Sequence, residues 1–228
     1  MQLAKRIGRK AFKPLYVLYY RFAFGRDWPF DEVMAKWVGR WEQASGMGDV
    51  PQSKHSWESQ YRDGDWGFLR EPDEMARYSL IAGYLGHLSP GGSVLDLGCG
   101  EGILYRHLAP LGCSEYTGVD LSEEAVARAA TREDEATTYV AADAESYRPA
   151  QRFDAVVFNE CLYYFRDPAG VVDRYREYLT EDGFFVVSMF ESLRTSAIAR
   201  QLDGSFVQVL QARLSNRKGS WTVSVYRP

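Results

Sequence analysis

The sequence predicts an α/β fold: a helical N-terminal extension, a parallel β-sheet, and a C-terminal antiparallel hairpin. Apolar runs alternate with helical patterns between residues 93 and 189, which is typical of β–α–β units in one parallel sheet. A glycine-rich turn follows the first apolar run. Residues 206–214 and 221–226 are strand-like and joined by a polar turn, which predicts a hairpin rather than another β–α unit.

The segments before the sheet differ from it in composition. A helix is predicted over residues 30–44, where Trp37 and Trp41 share one face. Residues 55–69 are rich in aromatic and charged side chains, and we expect them to form a lid loop. Residues 74–88 show an apolar helical period. We therefore divide the chain into a basic helical extension (1–54), a lid or linker with one helix (55–92), and a sheet domain (93–228).

The sheet domain follows a regular order. Five strands are predicted, over residues 93–97, 116–120, 138–141, 153–158 and 183–189. Connecting helices are predicted over residues 103–109, after Ser122 and over residues 169–179. Ser122 is followed by two glutamates, as is typical of a capped helix start.

The turn after the first strand carries the main functional signal. Asp96 ends the apolar run, and Gly98, Gly100 and Gly102 follow at alternate positions, with Cys99 between the first two. Glycines allow a sharp turn and the close approach of a ligand, and the next helix offers free N–H groups to an anion. The third glycine falls one position earlier than in the dinucleotide pattern G-x-G-x-x-G.

Acidic and polar residues also end the later strands. Asp120 ends the second strand, and a carboxylate there can accept hydrogen bonds from both hydroxyls of a ribose. The ends of the second, third and fourth strands continue as Leu121, Asp143-Ala144 and Asn159-Glu160. Because ligands bind beyond the carboxyl ends of parallel strands, we expect these residues to converge on one crevice.

Charge and cysteine content exclude several classes of protein. Residues 1–26 carry +7 and the whole chain −4, so the rest carries −11, which disfavours general nucleic-acid binding. Three widely spaced cysteines favour a reducing, cytoplasmic compartment, and no histidine joins them at metal-ligand spacing. We expect no metal site, and no apolar run reaches the length of a membrane-spanning helix.

The basic segment 1–26 leaves three interpretations open. It alternates cationic and apolar residues, as does a segment that contacts an anionic membrane surface, here the inner face. It is also compatible with a helix packed on the body with its cations in solvent. A nucleic-acid-binding arm is the third alternative.

The run Val-Leu-Asp-Leu-Gly-Cys-Gly-Glu-Gly at residues 94–102 resembles the first motif of class I S-adenosylmethionine (SAM) methyltransferases, and the resemblance extends over residues 90–190. It implies a Rossmann-like fold, SAM as cofactor and S-adenosylhomocysteine (SAH) as product. It also implies a set of cofactor-binding residues: Asp96, Gly98, Cys99, Gly100, Gly102, Asp120, Leu121, Asp143, Ala144 and Asn159. In this family Asp96 supports the glycine loop or reaches the amino-acid end of SAM.

Glu160 is our candidate base, because an oxygen or ammonium nucleophile must lose a proton and family acceptors approach after the fourth strand. A structural carboxylate that binds a helix end is the alternative. Tyr61, Trp66, Tyr163 and Tyr164 are candidate acceptor-binding residues, or alternatively packing residues. Arg62, Arg70 or Arg77 could pair with a carboxylate.

Residues 159–165 also resemble a segment of nodulation-factor N-methyltransferases, which modify a glucosamine. The sequence therefore predicts a methyltransferase acting on N or O of a small-molecule or glycan-type acceptor, without a nucleic-acid partner. An NAD-dependent oxidoreductase and a non-catalytic scaffold at a membrane are the alternatives. The glycine spacing and the predicted terminal hairpin both count against the oxidoreductase.

Overall fold

The computed structural model describes residues 54–132 and 134–228. The predicted N-terminal extension, including the helix over residues 30–44 and the basic segment 1–26, lies outside the described residues apart from Lys54. In the part of the chain that the structure describes, no helix is long and apolar enough to span a bilayer.

The described residues form six α-helices and seven strands. The helices are α1 (Lys54–Asp63), α2 (Pro72–Leu88), α3 (Ile103–Leu108), α4 (Glu123–Ala130), α5 (Pro168–Tyr175) and α6 (Leu193–Asp203). The strands are β1 (Gly91–Leu97), β2 (Cys113–Asp120), β3 (Thr137–Ala141), β4 (Phe153–Asn159), β5 (Leu179–Phe190), β6 (Val207–Asn216) and β7 (Gly219–Arg227). Short 3₁₀ turns cover Gly67–Arg70, Ala109–Leu111, Leu162–Tyr164 and Arg176–Tyr178.

All seven strands form one sheet in the order β3-β2-β1-β4-β5-β7-β6. The first five strands of the chain pair in parallel, and β7 pairs antiparallel with both β5 and β6. The predicted parallel sheet and terminal hairpin are confirmed. The strand order reverses between β1 and β4, and an open α/β sheet binds its ligand at such a reversal.

The sheet separates two hydrophobic clusters, since successive side chains of a strand point to opposite faces. On one face Val94 and Val157 pack with Ile81 and Leu85 of α2. On the other face Leu95, Val156 and Phe158 pack with α5 and α6. The central strands, buried on both faces, are therefore rigid supports for the residues at their carboxyl ends.

The structure differs from the sequence prediction in three segments. Residues 55–63 of the predicted lid loop are helical and belong to α1. The expectation of strict β–α alternation is wrong between β3 and β4, because residues 142–152 contain no helix; Asp143 instead caps a turn by accepting from the N–H of Glu145 (2.9 Å). Helix α6 was not predicted; a reciprocal capping box between Ser192 and Thr195 begins it.

The turn between β6 and β7 is tied to the start of α2. Asn216 Nδ2 donates to the carbonyl of Asp73 (2.8 Å), and Arg217 pairs with the Asp73 carboxylate (2.7 Å). Lys218 pairs with Glu71 (2.9 Å). The hairpin therefore holds the first turn of α2 against the sheet edge.

Candidate active site

A cavity of about 790 Å³ lies at the carboxyl ends of β1, β2 and β4 and is covered by α1 and the 3₁₀ turn that follows it. This volume is in the range of small-molecule sites. Most of the predicted site residues line it: Tyr61, Trp66, Gly98, Cys99, Gly100, Asp120, Leu121, Asp143, Ala144, Asn159, Glu160, Tyr163 and Tyr164. The predicted convergence of the strand ends is thus observed.

The glycine loop has the backbone that its sequence requires. Gly98, Gly100 and Gly102 have φ values of 73°, 55° and 68°, in the left-handed region that favours glycine. A Cβ at Gly98 would lie 2.7 Å from Cβ of Cys161, and one at Gly100 would lie 2.9 Å from the Tyr61 hydroxyl. Only glycine therefore fits at these two positions, and both of them line the cavity.

Asp120 joins the glycine loop to the start of α4. Its Oδ2 accepts from the N–H of Gly100 (2.9 Å), and its Oδ1 accepts from the N–H of Ser122 (2.9 Å). Burial raises the pKa of Asp120, although these bonds lower it. Each oxygen keeps a lone pair, so the carboxylate can still accept from two hydroxyls.

Two predicted residues lie behind the cavity wall. Asp96 is 1% exposed, and its Oδ2 accepts from the Tyr116 hydroxyl, while its Oδ1 has no hydrogen-bond partner among the described residues. Gly102 packs under the Tyr139 hydroxyl, which a Cβ would approach to 2.5 Å. Neither is among the described lining residues. The structure therefore places Asp96 against Tyr116 of β2 and not in the cavity.

Asp96 should make stability depend on pH. Burial raises the pKa of Asp96 from 3.8 to about 7, so between these values the folded protein holds a proton that the unfolded chain releases. The bound proton stabilises the folded state. Its contribution is fully present below the pKa of Asp96 in the unfolded chain and is lost as the pH rises through the pKa in the folded protein. We expect Asp96→Asn to lose less free energy of unfolding than the wild type between about pH 5 and about pH 8. Urea denaturation at both pH values measures this; equal losses would contradict it.

The backbone of Glu160 is strained, and its side chain accepts three hydrogen bonds. Its φ of 59° is the only positive value among described non-glycine residues. Its carboxylate accepts from the Ser188 hydroxyl (2.9 Å), the N–H of Phe190 (3.0 Å) and the Tyr163 hydroxyl (3.1 Å). Burial raises the pKa of Glu160, and Arg77 and these donors oppose that rise. The carboxylate is therefore fixed in orientation and keeps one lone pair for a further proton donor.

Of the three arginines that the sequence offered as carboxylate partners, Arg77 of α2 is the one that lines the cavity. It is 3% exposed, its Nη2 donates to Glu74 (3.1 Å), and its Nη1 donates to Asn159. Its buried Nε has no partner within the described chain. Arg70 instead pairs with Glu101. The sequence feature that could have identified Arg77 is its spacing from Glu74, three residues earlier on the buried face of a predicted helix.

Aromatic rings form the opposite wall. Trp57 stacks on Trp66 (5.4 Å between centroids) and meets Tyr164 edge-on (4.8 Å), and Tyr164 contacts Tyr163 (4.6 Å). The buried Nε1 of Trp66 has no partner in the described ranges. Sequence reasoning passed over Trp57, although its spacing to Tyr61 places both on one face of a helix.

Comparisons with known proteins agree with one another. The sequence model described as "Methyltransferase domain" matches residues 68–224. Nodulation protein S of Bradyrhizobium diazoefficiens is 30% identical over 107 residues, which are 46% of this chain and 51% of that protein. A ubiquinone biosynthesis O-methyltransferase of Thiobacillus denitrificans is 42% identical over 87 residues, 36% of this chain and 37% of that protein. The chain thus spans about half or less of these relatives.

Solved structures share the fold. The N-methyltransferase NodS of Bradyrhizobium japonicum, in complex with SAH, has a TM-score of 0.67 at 21% identity, covering 77% of this chain and 98% of that one. The Burkholderia thailandensis 1,6-didemethyltoxoflavin-N1-methyltransferase, with that compound and SAH bound, has a TM-score of 0.64 at 25% identity. This match covers 76% of the present chain and 86% of the Burkholderia thailandensis chain.

Proposed function

We propose that this chain, which belongs to the methyltransferase domain family, transfers the methyl group of SAM to nitrogen or oxygen of a small-molecule acceptor. The observation that carries the proposal is one cavity lined by the glycine loop, Asp120 and the partly buried Glu160. The two solved relatives above hold SAH, and both are named as N-methyltransferases.

The chain's own residues fit the cofactor. A side chain at Gly98 or Gly100 would clash with Cys161 or Tyr61, so the loop keeps only backbone at the cavity wall, and Asp120 keeps lone pairs for the ribose hydroxyls. We assign the unpartnered Nε of Arg77 to the carboxylate of the cofactor's amino-acid part, because a buried guanidinium group needs a partner. Asp143 and Leu121 line the same cavity as Asp120 and would hold the adenine. When bound, SAM supplies an activated methyl group on sulfur.

The part of the cavity around Glu160 and the aromatic wall would bind the methyl acceptor. Its residues would remove a proton from the acceptor and exclude water. Glu160 takes the proton of the attacking N–H or O–H, and three donors hold it in one orientation. The aromatic wall around Trp57, Trp66 and Tyr164 offers ring faces to a cyclic acceptor and keeps water out. The Trp66 Nε1 group can donate to an acceptor oxygen.

We further propose a sugar-containing acceptor of the glycan or glycolipid type. Aromatic faces with a few polar groups suit a sugar ring, and Nodulation protein S is among the relatives. The excess positive charge of residues 1–26 would place such an enzyme at an anionic membrane surface.

The experiment combines binding with label partition. Calorimetry should show SAH binding by the wild type, and binding of NAD instead would contradict the proposal. Methyl-labelled SAM is then incubated with the protein and cell extract, with Asp120→Ala as the control, and the extract is fractionated. Wild-type label in glycan or lipid supports the sugar acceptor, whereas label confined to other small molecules would overturn that part. Control-sensitive label in protein or nucleic acid would overturn the small-molecule assignment.

A further inference from the structure

Glu58 of α1 reaches across to the start of α4. Its carboxylate accepts from the N–H of Glu123 (2.6 Å), the N–H of Glu124 (3.2 Å) and the Ser122 hydroxyl (3.1 Å). Ser122 itself caps α4 by accepting from the N–H of Ala125 (3.2 Å). The first backbone donors of α4 are therefore satisfied by a side chain 65 residues earlier in the chain.

This contact continues into the site. The buried Ser122 donates its N–H to Asp120 Oδ1, and Asp120 Oδ2 accepts from Gly100. A continuous hydrogen-bonded chain thus links Glu58 through Ser122 and Asp120 to the glycine loop. The carboxylate assigned to the ribose is held by a network that includes the covering helix.

The same helix covers the glycine loop directly. One turn after Glu58, Tyr61 is 6% exposed and places its hydroxyl over Gly100. Beyond α1, Arg70 pairs with Glu101, the residue next to Gly100. A ligand seated on the loop is therefore enclosed by α1 when Glu58 is in place.

We propose that Glu58 is a positioning residue for the cofactor, which fixes Asp120 and holds α1 closed over the glycine loop. This inference rests on the proposed function, because the cofactor is what the closed helix retains. Glu58 touches no reacting atom and acts only through α4 and Asp120.

A carboxylate is the group that this position requires. Burial raises the pKa of Glu58, but the N–H groups of Glu123 and Glu124, the Ser122 hydroxyl and Lys54 together lower it below its usual value. Its negative charge also faces the positive end of the α4 dipole. A glutamine of the same shape has one acceptor oxygen and no charge, so it cannot satisfy all three donors equally well.

The test compares Glu58→Gln with Asp65→Asn, which removes the same charge from an exposed carboxylate two residues beyond α1. SAH affinity is measured by calorimetry, and SAH release by stopped-flow fluorescence of the nearby tryptophans. We expect Glu58→Gln to weaken SAH binding about tenfold through faster release, with a raised KM for SAM and an unchanged kcat. Asp65→Asn should match the wild type.

The outcomes separate the inference from the function. If the wild type does not bind SAH, the proposed function fails. If the wild type binds SAH and Glu58→Gln releases it at the same rate, or Asp65→Asn loses as much affinity, the positioning role is wrong. A merely structural cap would lower the melting temperature and leave SAH affinity intact. If Glu58→Gln does not fold, Glu58→Asp replaces it, because it keeps the charge but has a shorter side chain. The same SAH affinity and release measurements then test the positioning role.

Discussion

Glu160→Gln should lower turnover about 100-fold while sparing SAM affinity, because general bases contribute at least that factor. The substitution keeps the local network. The amide oxygen can accept from Phe190 and Tyr163, and the amide nitrogen can donate to the Ser188 oxygen. Only the capacity to take a proton is lost. Single-turnover kinetics with labelled SAM and the identified acceptor measure the effect.

The pH dependence provides an internal check on that role. A base acts in its ionised form, and burial raises the pKa of Glu160, so wild-type kcat should rise with pH through this group. Glu160→Gln should lack this limb of the profile. Glu181→Gln, the same change at an exposed position on β5, should retain both rate and profile. A fully active Glu160→Gln would exclude Glu160 as the base and favour a purely structural carboxylate.

Asp120→Ala should weaken SAM binding at least about tenfold, or about 1.4 kcal/mol. The change removes the carboxylate that we propose as the acceptor for the ribose hydroxyls. It also leaves the N–H groups of Gly100 and Ser122 without their partner, which costs further free energy in a buried site. Calorimetric titration with SAH measures the loss.

Two companion variants sharpen the Asp120 result. Asp120→Asn keeps one acceptor oxygen and should fall between the wild type and the alanine variant. Asp182→Ala, at an exposed position of β5, should bind SAH as the wild type does. Unchanged affinity in Asp120→Ala would remove Asp120 from the cofactor site.

Features with a local cause could be predicted from the sequence. The glycine spacing predicts three left-handed backbone positions, and the apolar residues from Trp221 to Val225 predict a strand, although not that both of its faces are buried. Both were found from neighbours in the chain alone. The resemblance to class I methyltransferases, confirmed by the family match and the fold neighbours, depends on the same local signals.

Features that depend on distant contacts could not be predicted in this way. Glu58 gains its partners only when α1 meets α4, and the cavity-facing position of Arg77 depends on Asn159 far along the chain. Trp57 becomes a cavity wall only through Tyr164. In each case the sequence shows only that the side chain is charged or aromatic. Its contacts depend on which distant elements the fold brings together.

The interior position of β7 has a consequence for biosynthesis. Because β7 pairs with β5 on one side and β6 on the other, a chain interrupted before Gly219 leaves β5 paired only with β4 and exposes the other edge of this apolar strand. Open edges of this kind template aggregation. A nascent or proteolysed chain lacking β7 is therefore the form of this protein that most needs a chaperone, even though its parallel strands and glycine loop are already complete.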